Sequence, residues 1–121
     1  MLRASSEANG VAVDLAAVNG AASDAGVAHG TRLVAFTDAV MRGDEAAISR
    51  ERAALRAVLS PEQFVDVAAV IGAFNVVDRV ADATGIPLDA IMVTMSTAVR
   101  RELNLARFAS AANTPAAGDA A

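Results

Sequence analysis

Cysteine, lysine, tyrosine and tryptophan are all absent from this 121-residue chain. Without thiols there is no disulfide, no thiolate nucleophile, no cysteine-ligated zinc and no CxxC redox pair. Without lysine there is no Schiff-base chemistry. A single histidine, His29, cannot build a histidine-rich metal site, so neither a metal nor another cofactor is expected. Aromatic residues are equally scarce, with Phe36, Phe64, Phe74 and Phe108 the only rings. The net charge is −4, and the ten basic residues, all arginine, are dispersed without interleaved aromatics. That pattern argues against nucleic acid as a partner. No run approaches the ~18 apolar residues of a membrane span, and the first residues lack the regions of a secretory signal. A cytoplasmic protein is expected.

What remains is carboxylate, arginine, asparagine and hydroxyl chemistry on an alanine-rich frame. Hydrophobic residues make up 55% of the chain, but 31 positions are alanine. Alanine is the best helix former and lets helices approach closely. The length suits one compact domain. A monomer of this size built from small side chains has a thin core, which favours burying further helix faces against copies of itself.

The helical signals run in order. Residues 1–8 read as a frayed start. Over residues 9–25, Val11, Leu15 and Val18 fall on one face of an expected helix, with Gly26 as its stop. "TRLVAFTDAVMRG" places Leu33, Phe36, Val40 and Met41 on the face of a second helix that Gly43 ends. A shorter helix follows, with Ser49 as N-cap and Ala53, Leu55 and Val58 inside it.

The sharpest start is "SPEQ", Ser60–Gln63. Ser60 can accept from an otherwise unsatisfied amide, Pro61 suits the first helical position, and Gln63 can reach back to close a capping box. A long helix to about Ala83 is expected, on the order of 35 Å at ~1.5 Å per residue. Gly85 caps its end and Pro87 follows. Phe64, Val67, Ile71, Phe74, Val77 and Val80 make it apolar nearly all round, the mark of a central helix or one at a subunit interface. Gly72 within it marks a close helix contact. A last helix is expected over Leu88–Phe108, with Ile91, Met92, Met95, Val99 and Leu103 apolar and Met92 and Met95 as core filler. Arg100, Arg101 and Arg107 lie towards its end, where positive charge suits the helix dipole. Residues 111–121 read as a disordered small-residue tail. The expected fold is all-α, a single-domain helical bundle of about five helices over residues 9–110.

Residues 32–89 resemble the alkylhydroperoxidase D / carboxymuconolactone decarboxylase superfamily. The likeness lies in the "LSPEQ" cap and the helix ending Phe74-Asn75-Val76-Val77-Asp78-Arg79-Val80-Ala81-Asp82, then Gly85. Asp78 stands where such members usually have asparagine. Thiol members read NG-C-x-x-C-x-x-x-H-x-x-x-A-x-x-A-G. Aligned on Asn9-Gly10 and on Ala22-x-x-Ala25-Gly26, this chain keeps the frame without gaps. Val11 and Asp14 occupy the two cysteine positions and Val18 the histidine position. His29, eleven residues past Val18, does not replace that histidine. The resemblance implies further helices upstream of this motif, and on that alignment the sequence is expected to start at the motif helix. The resemblance therefore implies the helical fold, and a homo-oligomer that is a trimer or a multiple of one. It does not carry over peroxidase chemistry, which a valine cannot perform.

Several residues are candidates for function, each with a structural alternative. Asp14 is either a general base in a partly apolar pocket or a solvent-facing helix carboxylate. Asn75, Asp78, Arg79 and Asp82, at i, i+3, i+4 and i+7, form one polar stripe. They are either a binding surface near the pocket the resemblance implies, or a salt-bridge network in which Arg79 pairs with Asn75 or Asp82. His29 is an acid–base candidate or a solvated loop residue.

Three functions follow. The chain is a non-redox, oligomeric or small-ligand-binding module that keeps the fold. Alternatively, it is a thiol-independent acid–base enzyme in which Arg79 holds the carboxylate of a small lactone-like acid and Asp14 or His29 moves a proton. A third reading makes it a structural subunit that partners a CxxC-containing relative.

Overall fold

In the computed structural model, helix formation follows the capping residues closely. The structure describes residues 6, 8–20 and 25–114, without the Val18 side chain. Four α-helices run through them: α1 (Gly30–Arg42), α2 (Glu45–Arg56), α3 (Pro61–Thr84) and α4 (Ala90–Glu102). Three short 3-10 segments, Leu15–Asn19, Leu105–Arg107 and Ala109–Asn113, accompany them, and no described residue is in a strand. The all-α expectation holds, with four α-helices where about five were expected.

The difference lies at the start of the chain. Instead of a helix over 9–25, Val11–Asp14 has no regular structure, Asp14 itself being extended, and among the described residues of that span only Leu15–Asn19 is helical, as a 3-10 turn. Gly10 (φ 66°) and Gly20 (φ 71°) both take the left-handed conformation, so helical continuity fails at each end of the segment. Asp14 is the N-cap, and its carboxylate accepts from the Ala16 amide at 2.9 Å. Gly20 closes the turn, its amide donating to Ala16 and Ala17 carbonyls. The stop expected at Gly26 therefore comes earlier; residues 21–24 lie outside the described residues. Of the start expected to be frayed, residues 1–5 and 7 also lie outside them, and the Ser6 carbonyl accepts from the Asn9 and Val11 amides.

Two compact units divide the chain, Met1–Ala73 and Phe74–Ala121, and the boundary falls inside α3. In the first, α1 and α2 form a helical hairpin. Gly43, at φ 67°, ends α1, and Asp44 caps α2 by accepting from the Ala47 amide at 3.0 Å. Asp44, not Ser49, is thus the N-cap, and α2 starts five residues before the position that Ser49 as a cap implied. Arg32 near the start of α1 donates to the Ala54 carbonyl near the end of α2, at 2.9 Å. Phe36, Ala39 and the wholly buried Leu55 form the core with Ala17 and Ala25. Met41, expected on the apolar face of α1, is exposed, and Ala39 takes the inward position. The Phe36 and Phe64 rings meet at 5.5 Å between centroids, fixing the start of α3 against α1.

The Ser60–Gln63 cap forms in full. Ser60 Oγ accepts from the Gln63 amide at 3.2 Å, and Gln63 Oε1 accepts from the Ser60 amide at 2.9 Å. The Ser60 hydroxyl also donates to Glu62 at 2.8 Å. The Glu62 carboxyl is consequently held below its ordinary value of 4.5, first by its own backbone amide and then by the Ser60 hydroxyl. α3 continues for 24 residues to Thr84, and Gly85 (φ 66°) ends it as expected.

In the second unit, Asp89 caps α4, which stops at Glu102 rather than running to Phe108. Asn104 takes φ 50° there, a left-handed conformation that asparagine tolerates better than most residues. The chain then turns through the two 3-10 segments. Part of the expected tail is ordered. Ala111–Asn113 are helical, and Thr114 Oγ1 accepts from the Leu88 amide at 3.1 Å. Residues 115–121 lie outside the described residues.

Candidate functional site

The opening motif positions carry little that could act on a substrate. Val11 is exposed and outside any helix, and the Val18 side chain lies outside the described residues. Asp14 is exposed, and its carboxylate is engaged by the Ala16 amide. It stands as the cap of a 3-10 turn and not on a longer helix. The turn is held to the rest of its unit by the backbone. The Asp14 amide donates to the Ala25 carbonyl at 3.0 Å, and the Ala12 carbonyl lies against Gly26.

His29 precedes α1 with φ 59°, a left-handed conformation in a residue other than glycine. Its carbonyl accepts from the Arg32 and Leu33 amides at 3.0 Å each, while its side chain makes no capping hydrogen bond. With Val27, Gly30, Thr31 and Arg32 it lines a hollow of about 200 Å³. Among the described residues, no hydrogen bond or ion pair joins Asp14 to His29.

The stripe on α3 is partly formed. Arg79 Nε donates to Asn75 Oδ1 at 3.1 Å, so the arginine pairs within the helix with Asn75 and not with Asp82. Asp78 and Arg79 are exposed. Asp82 instead lines a groove of the second unit, about 410 Å³ in volume.

That groove is built by three pieces of chain. α3 contributes Ala81 and Asp82. The connection contributes Ile86 and Leu88, and α4 contributes Met92, Ser96, Val99 and Arg100. The 3-10 segments close it with Leu105, Phe108, Ala111 and Asn113, and the bond from Leu88 to Thr114 ties that closure to the connection. The α4 residues recur at i, i+4, i+7 and i+8, so one helical face supplies them. The α4 face expected to be apolar therefore divides. Met92 and Val99 are half-buried in the groove, whereas Ile91 and Met95 are exposed. Arg107 stacks on the Phe108 ring at 4.8 Å, which steadies the closing segment.

Arg100 is the residue that sequence reasoning passed over, because its place in the last turn of a helix already accounted for its charge. It is half-buried in the groove, and no carboxylate among the described residues pairs with it. Its spacing of eight from Met92 was the available signal. Among the described residues no cluster of three histidine or acidic side chains could hold a metal, and no helix is long and apolar enough to cross a membrane. No protein-family model, curated protein or solved structure matches the chain.

Proposed function

We propose that the chain is a non-redox helical module that self-associates through α3, a member of the alkylhydroperoxidase D-like group whose thiol chemistry is gone. One observation carries the self-association. None of the 24 residues of α3 is buried, and Val65, Val70, Phe74, Val76, Val77 and Val80 are 54–65% exposed. Exposed apolar side chains in such a row are the mark of an interaction surface. Gly72 points the same way. A Cβ there would meet nothing within 4 Å, so the close helix contact its position suggested has no counterpart among the described residues.

The family reading is supported by the order of α1, α2 and α3, the complete Ser60–Gln63 cap and the Gly85 stop, all within residues 30–89. The opening segment adds no support, because Val11 and Asp14 lie outside any helix. The lactone-enzyme reading gains nothing from the geometry, since Asp14 is engaged as a cap and Arg79 is bonded to Asn75.

Sedimentation velocity at several concentrations tests the proposal. The expected result is an oligomer for the native chain and a monomer for Val76→Asp/Val80→Asp, with the helical circular-dichroism signal retained because both side chains are already exposed. A native chain that sediments as a monomer throughout overturns self-association. Turnover of a hydroperoxide with a dithiol reductant by the pure protein overturns the non-redox reading.

A further inference from the structure

The groove of the second unit has a composition that calls for a particular ligand. Its walls are apolar, supplied by Ile86, Leu88, Met92, Val99, Leu105 and Phe108. Its volume of about 410 Å³ falls within the range of small-molecule sites. Arg100 brings a guanidinium to this lining, and among the described residues no carboxylate, that of Asp82 included, is ion-paired with it. A planar guanidinium beside apolar walls matches a carboxylate on an apolar body, which can take two parallel hydrogen bonds from it. Asp82 shares the same lining. Its charge disfavours a second negative group on the ligand, which turns the site against dicarboxylates and phosphates.

We propose that this groove binds a small monocarboxylic acid with an aliphatic or aromatic body, its carboxylate held by Arg100 and its body against Met92, Val99, Leu105 and Phe108. Asp82 acts as the filter against dianions. The site is separate from the exposed valines of α3 and does not depend on self-association.

Amide chemical-shift titration of the full chain with octanoate tests this, with 1-octanol, succinate and inorganic phosphate as comparison probes. Octanoate is expected to shift the Ser96, Arg100 and Leu105 amides along one saturable curve. Octanol is expected to bind more weakly, and succinate and phosphate not at all. Arg100→Gln should weaken octanoate binding about tenfold or more, the loss of a charge-assisted pair. Asp82→Asn should leave octanoate bound and admit succinate. Both variants alter side chains that are not fully buried, and their helical signal is checked against the native chain. Equal binding of octanol and octanoate, or an Arg100→Gln variant that binds octanoate as well as the native chain, overturns the proposal. So does saturation of amides outside the groove. Octanoate binding by monomeric protein would sink self-association and leave the groove standing; an oligomer that ignores octanoate would do the reverse.

Discussion

Gly26 sits at φ 75°, and a Cβ there would lie 2.6 Å from the Ala12 carbonyl oxygen. Two costs therefore combine in Gly26→Ala: the left-handed strain of an L-residue and a backbone clash that no rotamer change relieves. Gly10 separates them. Its φ is 66°, but nothing lies within 4 Å of its Cβ position. Gly10→Ala is expected to cost about 1–2 kcal/mol for strain alone, and Gly26→Ala about 1–3 kcal/mol more, read from urea unfolding midpoints. Asp14 offers a second contrast at this scale. As the cap of Leu15–Asn19 it accepts one hydrogen bond from Ala16, an acceptor role that asparagine can fill. Asp14→Ala is expected to cost about 0.5–2 kcal/mol and Asp14→Asn very little, with hydrogen exchange at the Ala16 amide as the local readout. Equal losses in the two variants would mean that the charge, not the cap, is what the position needs.

Elements were legible where the signal is local. Ser60, Pro61 and Gln63 specify the start of α3 through groups three residues apart, and both halves of the cap form. Ser60→Ala is expected to cost about 1 kcal/mol, and Gln63→Ala less. The two losses should fall short of additivity, because each variant removes part of the same reciprocal pair. Glu62 adds a pH dependence to this element. Its folded carboxyl titrates below the ordinary 4.5 through its backbone amide and Ser60. The stabilisation it supplies is therefore present above that ordinary value and is lost as pH falls through the depressed one. A carbon-detected titration should place the Glu62 midpoint below that of an exposed reference glutamate, and Ser60→Ala should raise it. The expected helix over residues 9–25 failed because the periodicity of Val11, Leu15 and Val18 says nothing about the dihedral angles of Gly10 and Gly20. The expected helix over Leu88–Phe108 ran past Asn104, whose tolerance of positive φ was a readable stop signal among residues otherwise well suited to a helix. Of the groove, only the spacing of its α4 residues was legible. Asp82, Leu88, Arg100 and Phe108 share no sequence period, and they meet only because Gly85 and Asn104 turn the chain back.

At the scale of the whole molecule, the small-residue composition and the exposure of α3 make one argument. A chain with 31 alanines and four phenylalanines buries few large side chains, and Leu55 and Phe36 are the two large apolar side chains among the described residues that are buried. The apolar surface left over is concentrated on α3 and on Ile91 and Met95 of α4. Covering it with further copies removes that surface from water, and each copy then gains stability from the others by mass action. The thermal midpoint of the native chain is therefore expected to rise with protein concentration, by about 3 °C or more over a hundredfold range. The Val76→Asp/Val80→Asp variant, deprived of the contact, should melt at one temperature at every concentration. A flat midpoint in the native chain would place its whole stability within the chain itself, and Leu55→Ala, at about 2–5 kcal/mol, would then remove most of it. If the midpoint moves instead, the same variant should lose less at high concentration than at low, because association compensates part of the cavity.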